Sequence, residues 1–312
     1  MGATNKIIKI KDKYVLVLIF FAFSVILKAQ QVPLYNQYIF NPLEINPAYA
    51  GARNTLSAVL IHRSQWTAID GAPRTQNLAI HSPFKKENMA LGGLITHDAI
   101  GPTNSFKMGG IYAYKIKAGK GHLGLGLRAG IQYIQFDWNK ISYKDPMEPT
   151  ASVGKTYDIN PDFSFGIFYN TNSFFTGLAF DQLYPAKLNF TDSSSKENRL
   201  YRHSNLLIGK AFKLDEEVIF RPSLLIRSVE QITGTADLNL SFLFFNQIWF
   251  GFSLRSGYGL ALLTEYQFSN GLRVGYSVDR PSNNLKGYSG LTHEIFIGWD
   301  LVKQKTVNPR FF

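Results

Sequence analysis

The chain has 312 residues, a formal net charge of +11 and no cysteine. The lack of cysteine excludes disulfide bonds, thiolate metal sites and a lipid-anchored N-terminal cysteine. Lysine and arginine are scattered along the chain rather than gathered in blocks, so we predict no nucleic-acid partner. The mean hydropathy of -0.08 fits a soluble protein, and it also fits a membrane β-barrel, whose strands alternate apolar and polar residues.

The N-terminal segment has the pattern of a secretory signal. Several lysines between positions 6 and 13 precede an apolar run from Tyr14 to Leu27. A membrane-spanning helix needs about 20 apolar residues, so a cleaved signal is favoured over a single membrane span. We predict a signal peptide over residues 1–29, with cleavage near Ala29 and Gln30.

Residues 30–54 are predicted to form an irregular leader. Proline lacks an amide donor and disfavours helical geometry at the residue before it, and two Asn-Pro pairs occur here. The leader is also too aromatic for a solvated tail, so we expect it on the periplasmic rim or plugging a lumen. Candidate plug or docking residues are Asn41, Pro42, Asn46, Pro47, Tyr49 and Gly51.

Residues 55–312 are predicted to form a transmembrane antiparallel β-barrel of the outer membrane, with about 14 strands. Apolar residues recur at every second position, and turn residues separate these runs. In the clearest run, Ile248 and Phe250 face one side while Gly251 and Ser253 face the other. The expected strands lie near 55–66, 73–82, 88–97, 103–117, 121–138, 161–171, 173–181, 201–213, 216–229, 233–245, 247–256, 259–269, 271–280 and 290–302.

The ends of the expected strands define two sides of the barrel. The longest connections follow odd-numbered strands and therefore share the extracellular side, where outer-membrane barrels carry their long loops. These loops are Lys140–Asn160, Gln182–Leu200 and Pro281–Ser289. Their aromatic residues either anchor a partner at the cell surface or cap the barrel wall. The candidate contacts are Tyr143, Tyr157, Tyr184, Phe190 and Tyr288.

No motif in the chain predicts catalysis, a cofactor or a metal site. Gly154-Lys155-Thr156 lacks the earlier glycine and the strand–helix context of a phosphate-binding loop. His293-Glu294 lacks the second histidine of a zinc-protease motif, and the six histidines show no ligand spacing. His62 with Ser64, or His81 with Ser82, lacks the surrounding sequence of a hydrolase site.

Charged residues on expected inward positions could line the lumen. They would either set the ion selectivity of a pore or neutralise one another across the lumen, and the mixture of signs favours neutralisation. A passive or ligand-selective outer-membrane pore remains the alternative function. The charged positions are Arg128, Arg221, Arg227, Asp237, Arg255, Glu265, Arg273, Asp279, Glu294 and Asp300.

Several blocks of the chain resemble the PorP/SprF family of type IX secretion system membrane proteins. The opening block, with both Asn-Pro pairs and Ala48-Tyr49-Ala50-Gly51, is the most specific. Phe311 stands where tyrosine is more usual, and the similarity spans most of the chain beyond residue 30. The blocks are Gln37–Gly51, His62–Trp66, Gly71–Gln76, His97–Asn104, His293–Ile295 and Pro309–Phe312.

This resemblance implies a non-enzymatic outer-membrane barrel that works with the type IX machinery. It implies contact with outer-membrane lipid and with secreted clients that carry C-terminal sorting domains, gliding adhesins among them. Other secretion components, including a periplasmic lipoprotein, are further expected partners. The terminal aromatic residue Phe312 is predicted to be the signal that the barrel-assembly machinery reads.

Overall fold

The computed structural model describes residues 35–84, 88–142, 153–188, 199–230 and 232–301. Three candidate residues from the sequence, Tyr143, Phe190 and Phe312, lie outside these ranges, as does the predicted signal peptide. Within the described ranges, no helix is long and apolar enough to cross a membrane.

The described chain consists of short 3-10 helices followed by a succession of strands. The 3-10 helices are η1 (Gln37–Ile39), η2 (Pro42–Glu44), η3 (Pro47–Tyr49) and η4 (Trp138–Lys140). The strands are β1 (Ser57–Ser64), β2 (Arg74–Phe84), β3 (Met89–Ile100), β4 (Thr103–Ala118), β5 (Gly121–Asp137), β6 (Lys155–Asn170), β7 (Phe174–Asp181), β8 (His203–Lys210), β9 (Phe212–Lys213), β10 (Val218–Val229), β11 (Ile232–Phe244), β12 (Ile248–Arg255), β13 (Gly259–Gln267), β14 (Leu272–Pro281) and β15 (Thr292–Asp300).

The strands close into a single antiparallel barrel. Each strand pairs with the next along the chain, except that β8 pairs with β10, and β1 pairs with β15 from Ser57↔Asp300 to Ser64↔His293. Both β8 and β9 pair with β10 on the same edge, so they form one stave that is interrupted at Ala211. The described residues therefore form a 14-strand barrel, and this confirms the predicted fold class and strand number.

The two faces of the wall have the polarity that a membrane requires. Along β12, Phe250, Phe252 and Leu254 are exposed on the outer face, whereas Ser253 and Arg255 are buried on the inner face. A protein in water would bury the opposite set. The apolar outer face is suited to lipid, and the polar inner face needs internal partners.

The connections at the two ends of the barrel differ in length. At one end lie the segments 138–154, 182–202 and 282–291, whereas at the other end turns such as 119–120 and 245–247 have two or three residues. Short turns are periplasmic in outer-membrane barrels, so the first end is extracellular. The end of the leader, at the start of β1, and Asp300, the last residue of β15, lie at the periplasmic end of the closing strands.

One strand boundary predicted from the sequence is wrong. The sequence placed the start of the sixth strand near residue 161 and assigned Lys140–Asn160 to a loop, but β6 begins at Lys155 and pairs with β5 from there. The inward side chains Asp158, Asn160 and Asp162 resemble a loop in the sequence. They are polar because they face the interior rather than lipid.

Candidate functional site

The leader occupies the interior of the barrel, and its backbone turns because of its two Asn-Pro pairs. Pro42 and Pro47 each stand at the first position of a 3-10 helix, where a missing amide hydrogen costs nothing. The Asn46 side chain caps η3 by accepting a hydrogen bond from the Ala48 amide at 2.9 Å. Three successive single-turn helices therefore fold the leader compactly enough to fit within the wall.

The beginning of the described leader is held near the extracellular ends of β1, β14 and β15. The amides of Asn36 and Gln37 donate to the two carboxylate oxygens of Glu294 at 2.9 and 2.8 Å. The guanidinium of Arg63 joins Glu294 to Asp279, with both nitrogen–oxygen distances at 2.9 Å. The Asn36 side chain also donates to Asp279, so one buried charge cluster fixes the leader to three strands.

Aromatic packing fixes the middle of the leader. The Phe40 ring lies 6.0 Å from the Trp249 ring and 6.1 Å from the Phe296 ring, between centroids. Leu43 is fully buried nearby, and the Asn77 side chain donates to the Glu44 carboxylate. Fully burying one such apolar side chain contributes about 1.5–3 kcal/mol to stability. The buried side chains of the leader form one hydrophobic core with inward side chains of the wall.

Glycines on the facing wall form a seat for Asn46, Pro47 and Ala48. A Cβ atom at Gly126 would lie within 3.0 Å of the backbone of Pro47 and Ala48, and one at Gly166 would overlap the Asn46 side chain. The Asn46 amide group donates to the Ile167 carbonyl at 2.9 Å. The leader approaches β5 and β6 this closely because the wall has no side chain at these positions.

The end of the leader is fixed at the periplasmic end of the barrel. Gly51 has a φ of +73°, which favours glycine. Its carbonyl accepts a hydrogen bond from the Lys115 ammonium at 2.9 Å, and its amide donates to His81 at 3.1 Å. Arg53 pairs with Asp300 at 2.9 Å. The leader therefore runs from the extracellular half of the lumen down to the start of β1.

The lumen charges form pairs of opposite sign. All ten positions predicted to point inward are buried, and most belong to ion pairs, which agrees with mutual neutralisation. The observed pairs include Arg128 with Asp162 and Asp181, Arg255 with Asp237, and Arg273 with Asp300. Four further inward charges were not predicted from the sequence, although each continues an inward alternation that could have identified it: Arg63, Lys107, Asp162 and Asp181.

The extracellular mouth is partly covered by the connection between β7 and β8. Leu200 donates its amide to the Ala186 carbonyl at 2.9 Å, and both side chains pack on Ile134 of β5. Across the mouth, the Thr67 amide donates to the Leu291 carbonyl at 3.0 Å. These contacts join the connections that follow β1 and β14, so the described parts of the loops form an ordered outer surface.

The candidate leader residues and the candidate surface residues lie in different places. Asn41, Pro42, Asn46, Pro47, Tyr49 and Gly51 are all buried in the lumen. Tyr184 and Tyr288 are exposed on extracellular connections. Tyr157 was predicted to lie in a loop, but it is on the outer face of β6 and stacks on Tyr133, with ring centroids 6.0 Å apart.

The histidine and serine pairs serve structural contacts. His62 lies on the outer wall and its ring is 3.1 Å from the Ser64 hydroxyl, whereas His81 supports Gly51 in the lumen. Among the described residues, no group of three or more histidine, aspartate or glutamate side chains has an arrangement that could hold a metal ion.

Comparisons with known proteins identify a family and a fold. A family model described as type IX secretion system membrane protein PorP/SprF matches residues 27–299. The solved structure of the CymD monoaromatic hydrocarbon channel is similar with a TM-score of 0.50 and 11% identity, over 88% of this chain and 95% of that chain. A Pseudomonas aeruginosa FadL homologue gives a TM-score of 0.49 and 12% identity, over 87% and 95% of the two chains. No curated protein sequence matches the chain.

Proposed function

The chain belongs to the PorP/SprF family of type IX secretion system membrane proteins, and on this basis we propose that it is a non-enzymatic scaffold in the outer membrane. It holds secreted clients with C-terminal sorting domains, gliding adhesins among them, at the cell surface. After cleavage of a signal peptide near Ala29, the barrel assembles with its long loops outside. Its periplasmic turns are the surface available to other secretion components, including a periplasmic lipoprotein.

The observation that carries this proposal is the filled lumen. The leader is anchored at the extracellular half by Glu294, in the middle by Trp249 and at the periplasmic end by Asp300. A client cannot pass through a barrel whose core is made of its own leader, and a passive pore needs an open path. Client contact is therefore assigned to the extracellular surface, where Tyr184 and Tyr288 are exposed.

Planar-bilayer recording separates the scaffold from a pore. We expect no steady conductance from the intact protein and a steady conductance from a variant that lacks residues 31–50. The variant is accepted only if it runs as a folded barrel on an unboiled gel. A steady open channel in the intact protein would contradict the scaffold proposal and favour the pore.

Loop replacement tests client attachment. Replacing residues 141–153 with a short Gly-Ser turn leaves β5 and β6 complete, and we expect less client on the cell surface. The matched control changes the periplasmic turn 245–247, which is far from the outer surface. If retention is unchanged after each of the three long loops has been shortened, the assignment of docking to these loops is wrong.

A further inference from the structure

The outer half of β6 has a described strand neighbour on one side only. β6 pairs with β5 along its whole length, from Asp137↔Lys155 to His122↔Asn170. Its ladder with β7 covers only Phe165–Asn170, because β7 ends at Asp181. The last described link on that side is the hydrogen bond from the Leu183 amide to the Phe163 carbonyl, at 2.9 Å.

The direction of the backbone groups follows from this last link. The N–H and C=O of one residue in an antiparallel strand point to the same side, and the side alternates along the strand. The Phe163 carbonyl points toward the β7 side of β6. The N–H and C=O of Tyr157 and Ile159 point to the same side, and this side of Lys155–Asp162, which has no described strand neighbour, is called the open edge. Pro161 offers only its carbonyl there. Such a row of backbone groups can pair with an additional strand.

The part of β6 that has no described strand neighbour on the β7 side lies above the membrane. β6 has 16 residues, which at about 3.3 Å per residue and a tilt of about 40° rise about 40 Å. The apolar band of an outer-membrane barrel is about 25 Å tall. The periplasmic ends of β5, β6 and β7 are joined in register, so the excess of about 15 Å projects on the extracellular side.

The side chains beside the edge are the most exposed apolar groups on the described strands. Tyr157 and Ile159 are 65% and 60% exposed, whereas Leu127 and Ile131, which lie on β5 between two paired strands, are 56% and 45% exposed. No described strand pairs with these residues on the side that faces away from β5. An incoming strand would cover both side chains and pair with the backbone between them.

A second copy of the barrel does not fit this edge. All copies insert in the same orientation, so two β6 strands related by an axis along the membrane normal would both point outward. Their tilts would then cross at roughly 80°, twice the strand tilt, and a flat ladder could not form. Because the edge projects beyond the membrane, we expect its partner to arrive from outside.

We propose that Lys155–Asp162 is a strand-addition site, which takes an extended edge segment of a secreted client with apolar residues at alternate positions. This inference rests on the proposed function, because it specifies how the client is held. The apolar side chains of the client segment would lie beside Tyr157 and Ile159, and Pro161 would limit the register.

Disulfide mapping tests the pairing directly, because the chain has no native cysteine. The probe is a C-terminal sorting domain of a type IX secreted protein from the same organism, with single cysteines at successive positions of one edge strand. With Ile159→Cys we expect cross-links at every second position of the probe strand. The matched control, Ile131→Cys, lies on the paired wall and should give none. Absence of the alternating pattern, or a disulfide between two copies of the Ile159→Cys barrel instead of one to the probe, overturns the proposal.

Proline substitution distinguishes backbone pairing from apolar contact. Tyr157→Pro with Ile159→Pro removes two amide donors from the open edge, where proline is tolerated in a strand. We expect the probe to bind about tenfold more weakly than it does to the double alanine variant, because two hydrogen bonds are lost. Equal binding by the two variants overturns strand addition but leaves the scaffold in place. Failure of the wild-type barrel to bind the probe contradicts the proposed function instead.

Discussion

The glycine seat of the leader makes a quantitative prediction about opening of the lumen. In Gly126→Val, the new Cβ atom would lie within 3.0 Å of the backbone of Pro47 and Ala48, whereas ordinary contacts begin at 3.4 Å. Overpacking a well-filled interior costs about 1–3 kcal/mol. Since about 1.4 kcal/mol corresponds to a tenfold change in an equilibrium, the fraction of molecules with an unseated leader should rise roughly fivefold to a hundredfold.

Single-channel recording in planar bilayers measures this fraction as the frequency of openings. The matched control is Gly110→Val, since a Cβ atom at Gly110 meets no atom within 4 Å and faces lipid. Gly126→Val in β5 and Gly110→Val in β4 give the same gain in strand propensity. The two variants therefore differ in whether the new side chain meets the leader. Equal opening frequencies in the two variants, with both barrels folded on unboiled gels, would show that the seat does not hold the leader.

Three further predictions concern stability, assembly and processing. Arg63→Met leaves Asp279 and Glu294 buried without their shared cation and should lower the free energy of unfolding by about 3–5 kcal/mol, measured by urea titration in detergent; a shift below 1 kcal/mol would contradict the ion-pair argument. Deletion of Phe312 should slow the appearance of folded barrel in pulse-chase experiments, and an unchanged rate would exclude it as the assembly signal. Mass spectrometry of the protein from outer membranes should find Gln30 as its first residue, and a retained N-terminal segment would contradict cleavage.

The barrel wall could be predicted from the sequence because its physical requirement is local. Lipid on one side and a polar interior on the other impose a period of two, and residues such as Phe250 and Phe252 show it directly. The start of β6 was missed for a related reason. Asp158 and Pro161 are typical of loops when read singly, although the outward series Tyr157, Ile159 and Phe163 continues the alternation through them.

The contacts across the lumen could not be predicted, because only closure of the barrel creates them. Arg63 meets Asp279 across a separation of 216 residues, and no local pattern names such a partner. The sequence marked Asp279 and Glu294 as inward charges but could not identify the cation between them. The sequence therefore predicts that the inward charges neutralise one another as a group. It does not predict which residues form each pair.

The position of the leader depends on features that are separate in sequence and complementary in space. Asn-Pro pairs predict a compact irregular segment, and inward glycines on β5 and β6 predict a wall without side chains, but neither pattern alone indicates where the segment lies. The two features fit one another, because a strip of inward glycines leaves room for a compact segment to approach the wall backbone. Asn46 contacts this strip directly by donating to the Ile167 carbonyl. The lumen of this barrel is therefore filled by its own leader.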